Sequence, residues 1–153
     1  MKRWKIIAVT LAVLMTVAGC SHYGGDTGEW GGTWHLMEIS TDGNIDTDYC
    51  GNVFWKFQAD VIDMVETDDE MHERKDHYGT WSVSDDDRVL TLDFSHSSDR
   101  FPAGSEDYVP PKVTGFKGGV TRLDVEQLSG REIVVKTEMT ADGAMRRYVL
   151  KKQ

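Results

Sequence analysis

The sequence predicts an all-β domain, an antiparallel barrel or sandwich of about eight strands, set behind a removable N-terminal leader. Three observations carry that prediction. Apolar and polar residues alternate over one short run after another, turn residues punctuate the runs, and no stretch after the leader keeps a helical period. At 153 residues the chain is long enough for one domain with a real core.

The leader comes first. Met1 to Lys5 is short and basic, and Ile6 to Gly19 carries no charge. A permanent span needs about 20 apolar residues, so this run suits the core of a signal peptide covering residues 1–19. The small Ala18 and Gly19 let the backbone enter a narrow peptidase groove. Val17-Ala18-Gly19-Cys20 resembles the lipobox of bacterial lipoproteins. The resemblance implies cleavage before Cys20, a diacylglyceryl group on its sulfur and an acyl chain on its amine. Two or more chains, each buried CH₂ contributing about 0.8 kcal/mol, make a stable anchor. By the same analogy, Ser21 in place of aspartate favours the outer membrane. Asp26 and Glu29 alone follow Cys20 closely, so the periplasmic and surface faces both stay open.

Cleavage removes Lys2, Arg3 and Lys5 and takes the formal charge from −9 to −12. A surface so acidic repels nucleic acid and anionic headgroups, which leaves the lipid anchor as the membrane contact. With Cys20 acylated, Cys50 is the last thiol and no intramolecular disulfide can form. Cys50 is expected to be a small buried or half-buried apolar residue.

Residues 20–31 hold the acylated cysteine and, from Ser21 to Gly31, four glycines, and read as a flexible tether. The domain proper is expected over residues 32–153. Trp34 to Ile39 opens the strand series, and its alternation breaks near Met37, which predicts a bulge or bend. Val53, Trp55 and Phe57 alternate with Phe54, Lys56 and Gln58, and Val61 to Thr67 follows after Gln58-Ala59-Asp60. His72 to His77 reads as a solvated acidic loop. Tyr78 to Val83 and Val89 to Ser95 flank the turn Ser84-Asp85-Asp86-Asp87, and Leu90, Leu92 and Phe94 share one face. Leu123 and Val125 alternate with Arg122, Asp124 and Glu126. Ile133, Val135, Thr137 and Met139 make the next strand, Ala141-Asp142-Gly143 a hairpin turn, and Arg146 to Lys151 the last strand.

Between Ser95 and Val120 the pattern stops. Pro102, Pro110 and Pro111 fall there, with Gly104 and Gly115 and few apolar repeats. A connection this long is usually functional or mobile. It reads either as a disordered surface loop or as a lid or rim over one barrel end, with Phe101, Tyr108 and Phe116 as its contact residues. Trp34, Trp55, Phe57, Trp81, Leu90, Leu92, Phe94, Ile133, Val135 and Tyr148 form the expected interior. Core packing alone accounts for them; a cavity among them would suit a small apolar or amphipathic molecule.

Other chemistry is poorly represented. Asp42, Asn44, Asp46 and Asp48 alternate as oxygen donors, but the glycine and glutamate positions of a calcium loop are not met. His72-Glu73-Arg74-Lys75-Asp76-His77 places its second histidine one residue too far for a helical zinc pair. No nucleophile elbow or phosphate-cradling loop occurs, and Asp93 and Glu126 sit on strand faces predicted to point outward. The expectation is a non-enzyme with no metal and no cofactor.

Gly32-Thr33-Trp34, Gly79-Thr80-Trp81 and the terminal Tyr148-Val149-Leu150-Lys151-Lys152, together with the lipobox and short tether, resemble the small lipocalin-like lipoproteins of Bacteroidetes. The resemblance covers about residues 31–152. It implies an antiparallel up-and-down β-barrel of about eight strands that binds a small apolar or amphipathic ligand in the cell envelope. The alternative is a non-catalytic interaction module in which the barrel is a scaffold for an envelope protein partner. In lipocalins an arginine of the last strand stacks on the tryptophan of the first, which implies Arg146 or Arg147 against Trp34. Two departures point to a reduced barrel: Thr47-Asp48-Tyr49 follows the first strand rather than falling late, and no helix follows the last strand.

Overall fold

The computed structural model describes residues 27–96, 105–137 and 143–153. Nine strands are present among the described residues: β1 (Gly32–Thr41), β2 (Asn44–Ile45), β3 (Val53–Gln58), β4 (Val61–Asp68), β5 (Glu73–Val83), β6 (Val89–Asp93), β7 (Val120–Leu128), β8 (Glu132–Thr137) and β9 (Arg146–Lys152). Each long strand pairs antiparallel with its neighbour in sequence, and β9 returns to β1, so eight strands close into an up-and-down barrel. The two-residue β2 lies outside the closed ring as a hairpin partner of β1. Closure removes the unpaired edges that an open sheet of this length would expose.

Local chemistry fixes the register. Asp42 and Gly43, both at positive φ, make the tight β1–β2 turn. Trp34 pairs with Trp55, Trp55 with Met64, and Phe57 with Ile62, which puts the apolar set of three strands on one face. The bulge expected near Met37 is found: register shifts between Leu36 and Glu38, and Met37 is turned to solvent. It lets β1 leave β3 and curl onto β9. Gly79 serves close approach, since a Cβ there would lie 2.8 Å from the Asp93 carbonyl and 3.0 Å from the Phe94 ring.

Three expectations are corrected. Residues 73–77 are not a solvated loop but the first half of β5, where Glu66 pairs with Lys75 and Met64 with His77. The barrel needs an unbroken partner for all of β4, and alternation carries His77 inward. The ordered domain also begins before Gly32, because Trp30, within the expected tether, is 3% exposed and packed in the core. Cys50 is exposed rather than buried. Tyr49 takes the inward position instead, donating from its hydroxyl to the Leu36 carbonyl at 2.6 Å. Of the expected last turn, Ala141 and Asp142 lie outside the described residues, as does Met139 at the end of the preceding strand. No helix among the described residues is long and apolar enough to cross a membrane.

Candidate functional site

The barrel has two ends, and different devices close them. At the first end β1 begins and β3 and β5 finish. The 3₁₀ turn Gly28–Trp30 tucks under it, and the Trp30 ring stands edge-on to Phe57 at 5.6 Å and tilted against Trp81 at 6.1 Å. Its carbonyl accepts the Trp34 indole N–H at 2.7 Å, and its own Nε1 donates to Asp87 at 3.3 Å. A tryptophan placed there serves as a floor.

At the other end the 105–119 segment folds over the mouth. Ser105 leads into the 3₁₀ turn Glu106–Tyr108, and Pro110 and Pro111 are buried before a second turn, Lys112–Thr114. Gly115 then reverses the chain at φ 70°, a conformation glycine adopts without the Cβ penalty. Hydrogen bonds from the barrel wall seat the segment. Tyr148 donates its hydroxyl to the Thr114 carbonyl at 2.6 Å, and His77 Nδ1 donates to the Val109 carbonyl at 2.6 Å. The Phe116 ring reaches inward to Tyr148 at 5.0 Å and Trp55 at 5.9 Å. Burial pushes the Tyr148 phenol well above its ordinary range, so it is a permanent donor here.

Between floor and lid the interior is a continuous column of rings. Trp30, Phe57, Trp55, Tyr148 and Phe116 follow one another, with Trp81 against Phe57 at 4.9 Å. Trp34, Trp55, Leu90, Leu92, Ile133, Val135 and Tyr148 are fully buried, Phe57 and Phe94 nearly so, and Trp81 is partly buried against them. The expected interior residues thus meet in one packed cluster rather than around an open space. Two polar atoms stand out in it: the indole N–H groups of Trp55, toward the lid, and Trp81, toward the floor, are buried with no acceptor among the described residues. Of the expected loop contacts, Phe116 enters the core, Tyr108 is half-buried on the first lid turn, and Phe101 lies outside the described residues, as does Cys20.

A wide concavity lies beside the lid, not under it. A cleft of about 680 Å³ runs between the β4–β5 hairpin and the Glu106–Asp107 turn. Carboxylates dominate its walls: Glu66, Asp68, Glu73, Asp76, Glu106 and Asp107 face Arg74 and Lys75. Arg74 is held by Asp76, with Nε at 2.9 Å, and Lys75 by Glu106 at 3.0 Å. Just outside, Asp63 is nearly buried on the outer sheet face. Burial first and the Asp76 carboxylate second hold its carboxyl above the usual range, against the pull of Lys56 and Arg74 at 3.8 Å.

The cation over Trp34 is Lys152, with Nζ 4.5 Å from the ring centroid, and not Arg146 or Arg147. Register decides this: Trp34 pairs with Lys152, whereas the two arginines pair with Thr41 and Ser40 at the far end of β1. Asp93 and Glu126 both engage neighbours of their own, Asp93 with Ser95 and Glu126 with Arg147 and Lys136. Among the described residues no three His, Cys, Asp or Glu side chains converge as a metal-holding group.

A family model described as a lipocalin-like domain matches residues 13–148. Among solved structures, the crystal structure of a lipocalin-like protein from Bacteroides uniformis ATCC 8492 is similar over 82% of this chain and 100% of that one, with a TM-score of 0.57. At 17% identity the likeness is one of fold. No protein of curated function matches the chain.

Proposed function

The chain belongs to the lipocalin-like domain family, and from that premise we propose that it is an envelope binding protein taking a small amphipathic ligand under its lid. The observation that carries this reading is the contact of the Phe116 ring with Trp55, whose indole N–H is buried without an acceptor among the described residues. Phe116 is partly buried and sits at the lid end of the ring column, and beside it lies a buried donor with no acceptor. Buried polar groups are nearly always satisfied, and an unmade hydrogen bond costs about 1–3 kcal/mol. A ligand with an apolar body and one acceptor oxygen would replace the Phe116 ring and satisfy Trp55 together. Binding is then an exchange of lid for ligand, not the filling of a standing cavity.

The lipobox places the protein, in this proposal, at the outer membrane through lipid on Cys20. Residues 20–27 span at most about 25 Å when extended, so the floor end carrying Trp30 stays near the bilayer and the lid faces away.

The test is binding of an environment-sensitive apolar fluorophore to the full chain and to Phe116→Ala. Tighter binding by the variant, with quenching of indole emission, is expected. Equal, negligible binding by both would leave the interaction module as the better reading. The packed ring column favours that second reading, since a scaffold needs no interior space.

A further inference from the structure

We propose that a pocket under the barrel floor, at the end opposite the lid, is a second binding site, for a small quaternary ammonium cation of the choline type. The pocket holds about 220 Å³ between the Gly28–Trp30 turn, the end of β5, the β5–β6 turn and the end of β7. Trp30, Trp81, Val83 and Leu128 give it an apolar wall, and Glu29 and Asp87 give it charge. Sites for drug-sized ligands measure about 300–1,000 Å³, so this one has room for a head group of a few heavy atoms.

Acidity alone would not single out this place on so acidic a chain. The two indoles do. Their planes are inclined at 43° with centroids 6.1 Å apart, and both stand on the pocket wall, so they make an aromatic corner. Trp81 is only partly buried against the core, which leaves part of it to the pocket. A cation is drawn to the negative face of a ring, most strongly to tryptophan and where water is partly excluded. The anion beside this corner is held in place. Asp87 Oδ1 accepts the Trp30 indole N–H at 3.3 Å, and its backbone N–H donates to the Ser84 carbonyl at 2.9 Å. No lysine or arginine among the described residues pairs with Asp87 or Glu29: Arg88 pairs with Asp86, and Lys152 stands over Trp34. Indole rings, an apolar wall and a fixed carboxylate without a cation are together what a methylated ammonium requires.

The same elements select the kind of cation. A primary ammonium is strongly hydrated and brings three N–H donors that each need an acceptor, and the indole rings, Val83 and Leu128 offer none. Methyl groups on the nitrogen remove the donors and present an apolar surface that packs on those residues. A metal ion fails for the opposite reason. Two carboxylates fall short of the oxygen set a calcium ion takes, and no three His, Cys, Asp or Glu side chains converge among the described residues. An anionic group on the ligand would meet Glu29 and Asp87, with Asp85 and Asp86 beside them in the same turn, so a free cation is favoured over a phosphocholine head group. Nothing in this site needs the lid to open, so it stands or falls separately from ligand binding in the barrel.

The experiment is calorimetric titration of the full chain in a maltoside detergent with choline, beside ethanolamine and phosphocholine at matched ionic strength. The expected result is one choline per chain, bound about tenfold tighter than either control. Choline should also shift the Trp30 and Trp81 indole N–H resonances and leave that of Trp55 in place. Asp87→Asn should weaken binding about tenfold. Asparagine tolerates the φ of 55° at this position and can still accept from Trp30, so the variant removes charge alone. Trp81→Phe, which offers the cation a smaller ring, should weaken binding about threefold. Asp85→Asn, which removes the same charge from the same turn but outside the pocket, should leave it unchanged. No choline bound, several cholines per chain, a control bound as tightly as choline, or Asp85→Asn as damaging as Asp87→Asn would each overturn the proposal. Trp81→Phe decides the matter if Asp87→Asn does not fold.

Discussion

The Lys152 ammonium stands 4.5 Å from the centroid of the Trp34 ring and also donates to the Gly31 carbonyl, tying the last strand to the first turn of the barrel floor. Trp34 has no exposed surface, so the cation covers the ring's outer edge at the point where β1 and β9 close the barrel. A partly desolvated cation–π contact is worth about 1 kcal/mol. Lys152→Ala should therefore lower stability by about that amount in urea unfolding, while Lys152→Arg, which keeps the charge over the ring, should stay within about 0.5 kcal/mol of the parent. An alanine variant as stable as the parent would show that the contact is incidental.

Trp30 should matter more. It is the floor of the core, and its carbonyl is the acceptor for the Trp34 indole. Trp30→Ala opens a cavity beneath Phe57 and Trp81 and should cost about 3–5 kcal/mol. Trp30→Phe keeps most of the ring burial and should cost less than half of that. Chemical denaturation monitored by far-UV dichroism separates the two.

Burial and Asp76 keep the Asp63 proton bound more tightly in the folded chain than in the unfolded one. Stabilisation from that proton is complete below the unfolded-state pKa, about 3.9, and is lost as pH rises through the higher folded-state value. At neutral pH the buried carboxylate is thus a net liability despite Lys56 and Arg74 nearby. Asp63→Asn should raise the melting temperature at pH 7, and the gain should shrink steadily as pH falls toward 4 and below. Thermal melts across pH 3–7 give the curve. A variant that melts lower at pH 7 would mean that the two cations outweigh burial.

How far the sequence revealed this fold depends on which signal a residue carries. Period-two alternation is a local signal, and it located the inner faces of β3, β6 and β8 without outside help, from Val53 and Trp55 to Ile133 and Val135. His77 was hidden because charged neighbours on both sides mask its alternation. Its inward position follows only from pairing with Met64. Trp30 was hidden by the glycines around it, although one indole in a polar, glycine-rich tether was itself a clue. The lid showed as a break in pattern, but its seat did not. The hydrogen bond from Tyr148 to the Thr114 carbonyl joins residues 34 apart, and no local pattern encodes such a contact. The polar cleft depends on the same long-range assembly, since its walls are a hairpin and a lid turn brought together by Lys75 and Glu106.

That seat gives the sharpest test of the lid. Tyr148→Phe keeps the ring against Trp55 and Phe116 but removes the hydroxyl that reaches the Thr114 carbonyl from the barrel wall. Thr114 is fully buried, so its carbonyl would lose its partner inside the core. The loss should cost about 1–1.5 kcal/mol. The cost should fall on the lid before it falls on the barrel, because β9 itself keeps its backbone pairing with β1 and β8. Amide hydrogen exchange should accordingly quicken about tenfold at residues 112–116 while β3 and β4 stay protected. Uniform acceleration across the chain would mean that lid and barrel open as one unit. In that case a ligand exchanging with Phe116 would have to unfold the barrel to enter, and the lid-exchange reading would fail with it.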